Sequence, residues 1–237
     1  MWSGPRNIST ALMRAFENRA DTIVVDEPLY AYYLKNTGVD HPGRDGIIAA
    51  YDTDYQAVTT YLSEGDPGEC GIFYQKQMAH HLQPDDALEW LSALSNVFLI
   101  RDPKAMLLSL SKVLPTVTVH DTGLPQQLRL VEFLRNRGEK IVVLDSRKVL
   151  ENPQQQLQRL CRHLGVAFED AMLNWPAGPR ASDGIWSPYW YDAVLRSTGF
   201  SPYTPKHEKL PDTLQDVLAQ CESCYQTLRR YDLAGAE

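Results

Sequence analysis

The chain has 237 residues, 23 of them basic and 30 acidic, for a formal net charge of −7, so no overall positive field draws it to nucleic acid and any polyanion must be held by local donors. Four cysteines, Cys70, Cys161, Cys221 and Cys224, are too sparse for a secreted disulfide framework, which points to a reducing, cytoplasmic setting. No run approaches the about 18 to 20 unbroken apolar residues that span a bilayer, and no signal-peptide pattern opens the sequence; the expectation is a soluble, single α/β domain over 1–237 that binds a small molecule, without membrane or nucleic-acid partners.

The chain opens on Trp2-Ser3-Gly4-Pro5-Arg6-Asn7-Ile8-Ser9-Thr10-Ala11-Leu12-Met13, a tight turn feeding a helix predicted over 9–19. Such a turn is an anion cradle. The first N–H groups of a helix lack internal partners and its dipole favours negative charge. Gly4 lets the backbone approach, Arg6 supplies a fork of donors, and Ser9 and Thr10, either of which is expected to cap the helix, add hydroxyls. Only Met1 and Trp2 precede Ser3 where a phosphate loop is expected to follow a full strand, so the first strand is a stub or the chain begins after its natural start.

Short apolar, β-branched runs then predict strands over 22–25, 71–74, 96–100 and 141–144. Between and after them, helices are predicted over 28–35, 51–63, 85–94, 103–114, 125–137, 153–164 and 212–231, several with proline in the first turn. Glycine and proline mark loops at 36–45 and 175–188. Alternation of this kind predicts a mostly parallel sheet with helices on both faces, whose ligand sites lie at the carboxyl ends of the strands. Glu27, Lys76, Arg101 and Asp145 all follow predicted strands and should converge there.

A second anion site is expected at Arg101-Asp102-Pro103, where the third long apolar run turns into a helix carrying Ser109. Two such sites suggest one doubly charged ligand. The first turn lacks the second glycine and the lysine of a G-x-x-x-x-G-K-[ST] loop, which argues against a nucleoside triphosphate. The acidic strand ends Asp26-Glu27 and Asp145 keep a magnesium-dependent kinase or NTPase as the alternative. Cys221-Glu222-Ser223-Cys224 is a lone C-x-x-C without two further ligands at zinc spacing.

Gly4 to Thr10, Arg101-Asp102-Pro103 with Ser109, and the stretch from Ile141-Val142-Val143-Leu144-Asp145 through Asn152-Pro153 to Leu164-Gly165 together resemble the sulfotransferases that use 3′-phosphoadenosine 5′-phosphosulfate (PAPS). The resemblance implies a three-layer, P-loop-like fold. It implies that Arg6, Asn7, Ile8, Ser9 and Thr10 hold the 5′-phosphosulfate and that Arg101 and Ser109 hold the 3′-phosphate. No metal is then required, and the sulfuryl group passes to a hydroxyl or amine of a small-molecule acceptor. Asp26-Glu27-Pro28-Leu29 is similar to the Glu-Pro-Leu segment of carbohydrate-type and bacterial members, which makes Glu27 the candidate base. Lys76 would stabilise the leaving group. Met78 stands where many cytosolic relatives carry a catalytic histidine, two residues after the lysine, so His80, or His81 beside it, is the nearest substitute. A nucleotide-binding module that has lost its base is the non-enzymatic alternative.

Overall fold

The computed structural model describes residues 1–233. Its strands are β1 (Trp2–Ser3), β2 (Thr22–Asp26), β3 (Ile72–Met78), β4 (Val97–Ile100) and β5 (Val142–Asp145). They form one sheet in the order β2-β3-β1-β4-β5, with every neighbouring pair parallel. The helices are α1 (Ser9–Glu17), α2 (Tyr30–Thr37), α3 (Arg44–Ala50), α4 (Tyr55–Glu64), α5 (Pro103–Leu110), α6 (Leu124–Asn136), α7 (Ser146–Glu151), α8 (Pro153–Leu164), α9 (Ser187–Trp190), α10 (Asp192–Leu195) and α11 (Gln215–Arg229). Among the described residues no helix is long and apolar enough to cross a membrane.

Side chains alternate across a strand, and here the alternation sorts the core into two layers. Phe98 and Ile100 of β4 and Val143 of β5 join one cluster with residues of α4, α5, α6 and α11. Val97 and Leu99, with Val142 and Leu144, join the other with Leu12, Met13 and Phe16 of α1 and Leu157 and Leu160 of α8. Each fully buried apolar side chain contributes about 1.5–3 kcal/mol, so both faces must be covered for the sheet to persist. A third, smaller cluster packs Tyr30, Tyr33 and Leu34 of α2 under Trp186 and Tyr191. The chain leaves the central strand β1 towards β2 on one side, while β4 and β5 lie on the other, so the strand order reverses beside β1. That reversal opens a crevice at the carboxyl ends of the strands.

Three expectations change. The third strand runs on to Met78 rather than stopping at 74. The polar residues Gln75, Lys76 and Gln77 look like a strand end in sequence, yet all three are buried, with Gln75 donating to the Leu62 carbonyl (2.7 Å) and Lys76 ion-paired. The helix expected over 85–94 is only a 3₁₀ turn, Glu89–Ala93. Asp86 instead accepts from the Gln83 N–H, and Arg129 binds the carbonyls of Gln83 and Asp86, holding that backbone out of the helix. Finally, Ser9 does not cap α1 but begins it: the N-cap is Ile8 and no side chain caps the end.

Candidate active site

A cavity of about 410 Å³ lies in the crevice, and Arg6, Asn7, Ile8, Ser9, Thr10, Glu27, Lys76, His80, Arg101 and Ser109 all line it. Its two halves differ in charge. On one side is the turn from β1 into α1. The missing cap leaves the first N–H groups of a nine-residue helix facing the cavity. Arg6 sits in the left-handed region (φ 55°) and is exposed. Its Nε donates to Ser109 Oγ (3.0 Å), and the Arg101 guanidinium donates to the Arg6 carbonyl. Asn7 turns inward: its Nδ2 donates to the Leu99 carbonyl (3.1 Å) and its Oδ1 accepts the Ile8 N–H (2.9 Å), which pins the turn to β4. The turn therefore offers backbone, hydroxyls and Arg6, while the Asn7 side chain is structural.

Arg6 and Arg101 are like charges brought together. Burial lowers the affinity of Arg101 for its proton, and Arg6 adds to the effect. Lys206, from the late segment, is lowered by burial and then by Arg101, Lys112 and Arg6. A dianion at this point relieves all of that repulsion. Lys206 was not legible in the sequence, because it enters the field of Arg6 and Arg101 from about 200 residues downstream.

The other half is built on the register of two strands. Asp26 of β2 pairs with Lys76 of β3, which sets their side chains on one face about 4.8 Å apart. The chain then turns: Glu27 takes φ 41°, and Arg6 and Glu27 are the two non-glycine residues with positive φ among those described. Such backbone costs on the order of 1–3 kcal/mol and collects at functional sites. Lys76 Nζ donates to Asp26 Oδ1 (2.9 Å), Glu27 Oε1 (2.5 Å) and Tyr191 OH (2.6 Å). Tyr191 OH donates to Asp26 Oδ2 (2.7 Å), and the Gly184 N–H reaches the same oxygen (3.2 Å). The Lys76 and Asp26 side chains are each 1% exposed, and Glu27 is 11% exposed.

Two carboxylates thus share one ammonium. Burial, with the charge of Asp26 adding to it, holds the Glu27 carboxyl above its ordinary range against the pull of Lys76. Burial works against the charge on Lys76, but Asp26 and Glu27 outweigh it and keep the ammonium protonated. Glu27 Oε1 is taken by Lys76, while Oε2 faces His81 Nε2 at 3.9 Å. His81, rather than His80, is the histidine brought to Glu27. Burial drives both imidazoles towards the neutral form, His80 down to about 3 and His81 well below the usual range. Their Nδ1 atoms have no partner.

Beyond Glu27 the wall is aromatic. His81 packs against both Tyr30 (4.8 Å, 1°) and Tyr33 (4.9 Å, 24°), and Tyr30 OH meets His41 Nδ1 at 2.8 Å. Trp190 packs edge-on against His41 (5.9 Å). Trp190 and Tyr191 reach the cavity, whereas Trp186 is buried behind it, T-shaped to Tyr30. The arrangement provides an anion clamp, a carboxylate oxygen free to take a proton, and an apolar wall between them and solvent.

A family model described as a sulfotransferase domain matches residues 1–230. Two Arabidopsis thaliana proteins, branched-chain-amino-acid aminotransferase-like protein 2 and protein 1, are each 35% identical to this chain over 228 and 230 residues, 96% and 97% of it. The chain spans only 40% and 41% of their lengths. Among solved structures, the sulfotransferase domain of the Synechococcus PCC 7002 olefin synthase superposes with a TM-score of 0.59 at 16% identity, covering 95% of this chain and 92% of that one. The sulfotransferase domain from the curacin biosynthetic pathway gives 0.53 at 15% identity, covering 96% and 95%. At that identity the two structures speak for the fold alone, an all-parallel five-stranded sheet between helices; with the family match over nearly the whole sequence, the chain belongs to the sulfotransferase domain family.

Proposed function

We propose that this protein moves the sulfuryl group of PAPS to a hydroxyl or amine of a small-molecule acceptor. The observation that carries the reading is the meeting, in one cavity, of an uncapped helix end flanked by Arg6, Arg101 and Ser109 with a carboxylate, Glu27, whose second oxygen is free. The bond from Arg6 to Ser109 and that from Arg101 to the Arg6 carbonyl make the two anion sites contiguous, as the 5′ and 3′ positions of one ribose require.

In this reading the N–H groups of Asn7, Ser9 and Thr10, with the Ser9 and Thr10 hydroxyls and Arg6, hold the 5′-phosphosulfate, while the Ile8 N–H stays on Asn7 Oδ1. Arg101 and Ser109 hold the 3′-phosphate, with Lys206 adding positive charge. The acceptor oxygen or nitrogen attacks sulfur in line and its proton passes to Glu27 Oε2. The bond from sulfur to the bridging oxygen breaks, and the charge that develops on the departing 5′-phosphate falls at the helix N-terminus, where fixed donors stabilise it. The products are the sulfated acceptor and adenosine 3′,5′-bisphosphate. Tyr30, Tyr33, His41, Trp190 and Tyr191 form the wall past which the acceptor enters, and neutral imidazoles leave it free of positive charge.

The test is turnover. Incubation with PAPS and a panel of hydroxyl and amine compounds, read by mass spectrometry as acceptor plus SO₃ and by release of the bisphosphate, should yield at least one product. Glu27→Gln should lower that rate by about 10²–10⁴-fold, the usual contribution of a general base, at nearly unchanged affinity for the bisphosphate. Undiminished turnover by Glu27→Gln would remove Glu27 from the role.

A further inference from the structure

Lys76 borders the cavity, where the family resemblance implies contact with the leaving group, yet its hydrogen bonds point elsewhere. An ammonium has three N–H donors. Here they go to Asp26 Oδ1, Glu27 Oε1 and Tyr191 OH, at 2.9, 2.5 and 2.6 Å, with the side chain 1% exposed. No donor is left over for a substrate. The charges around it are also unequal in their ties. Asp26 is fully enclosed: one oxygen is bonded to Lys76, and the other accepts from Tyr191 OH and the Gly184 N–H. Glu27 is tied by one oxygen only, and its second opens on the cavity beside His81.

Resting on the reading of Glu27 as base, we infer that Asp26 is a positioning residue for the reaction: it holds and neutralises Lys76, so that Glu27 Oε2 is left as a free carboxylate oxygen to accept the proton. A single Lys–Glu pair would give the opposite result. With its charge fully matched by the ammonium, Glu27 would be a strong acid and a poor base. The second carboxylate removes that match, because Asp26, Glu27 and Lys76 together carry one net negative charge, which a proton arriving on Glu27 cancels. Lys76 then serves as the internal counter-ion of Asp26 and as the clamp that aims Glu27.

The other ionisable groups packed on Glu27 do not supply this effect. His81 stands neutral at 3.9 Å. Tyr191, from the segment after α9, and Tyr30, from the first turn of α2, are phenols pushed by burial further from ionisation. Tyr191 also links the device to the late segment, since its hydroxyl and the Gly184 N–H both end on Asp26. The register that joins Asp26 to Lys76 and the left-handed backbone at Glu27 are what let two consecutive acidic residues address one lysine.

The experiment is a carboxyl ¹³C NMR titration of protein labelled at glutamate, with the Glu27 signal assigned by its loss in Glu27→Gln. In the wild type Glu27 should titrate above the ordinary 4.5; a midpoint below 4.5 would show that Lys76 chiefly serves Glu27 and would overturn the inference without recourse to any variant. Asp26→Asn, which keeps the shape, should lower the midpoint by at least one pH unit, a tenfold gain in acid strength, and Asp26→Glu should restore it. An unmoved midpoint in folded Asp26→Asn would also overturn it. This readout needs no acceptor and no turnover. A protein that titrates as expected but never transfers sulfate would therefore contradict the proposed function while leaving the electrostatic device standing.

Discussion

Replacing Arg101 by alanine should separate two ligands that differ by a single phosphate. Arg101 follows β4 with its guanidinium on the Arg6 carbonyl, lines the same cavity as Ser109, and interacts electrostatically with Arg6 and Lys206. A hydrogen bond to a charged group contributes about 1.5–3 kcal/mol, which at 1.4 kcal/mol per decade is roughly 10- to 150-fold in Kd. Binding of the bisphosphate also relieves the repulsion between Arg101 and Arg6, a gain that the alanine variant forfeits, which places the expected loss for adenosine 3′,5′-bisphosphate in the upper part of that range. Adenosine 5′-phosphate has no 3′-phosphate and should lose at most about fivefold, the scale of a surface ion pair. Calorimetric titration of both ligands with wild type and Arg101→Ala measures the difference directly. Ser109→Ala, which removes a hydroxyl and leaves the charge, should show the same selectivity in smaller degree. Equal losses for the two ligands would refute the assignment and mean that Arg101 acts by holding the turn through the Arg6 carbonyl.

Two further outcomes concern stability. A Cβ added at Gly4 would lie 2.1 Å from the Thr122 carbonyl oxygen, a backbone atom that cannot swing aside. Gly4→Ala should therefore destabilise the fold by about 1–3 kcal/mol, as overpacking does, and urea midpoints equal to wild type would show that the turn has room. Stability should also fall with acid. His80 titrates at about 3 in the folded chain against an ordinary 6.5, and His81 well below 6.5, so between those values the unfolded chain binds the more protons. The stabilisation is fully present above pH 6.5 and is lost as pH falls towards 3, at up to about 1.4 kcal/mol per pH unit for each histidine. Glu27, raised when folded, works in the opposite direction and offsets part of the loss. Urea unfolding at pH 7.5, 6 and 5 checks the slope; a flat or rising profile would contradict the burial of neutral imidazoles.

What the sequence disclosed was local. The turn from Ser3 to Thr10 and the step from Ile100 to Pro103 are short segments whose glycine, proline, arginine and hydroxyl residues speak for an anion wherever the rest of the chain goes. α8 was legible to the residue, because Pro153 starts it and Gly165 ends it in a left-handed cap. The carboxylate half was only partly legible. Glu27 and Lys76 could be placed at strand ends, but the joint hold of Asp26 and Glu27 on Lys76 depends on strand register, and the contact of Tyr191 with Asp26 spans 165 positions. The choice between two adjacent histidines rests on a single 3₁₀ turn, Ala79–His81, which no periodicity announces. The same non-local hydrogen bonding extended β3 through polar residues and kept the segment around Asp86 from becoming a helix.

The most direct test of the account is a calorimetric titration of the wild-type protein with adenosine 3′,5′-bisphosphate in the absence of added metal, beside a parallel titration with ATP and magnesium. The account predicts saturable binding of the bisphosphate without magnesium, weakened when the 3′-phosphate is absent. Binding of magnesium ATP alone would contradict it and make the cavity that of a phosphotransferase.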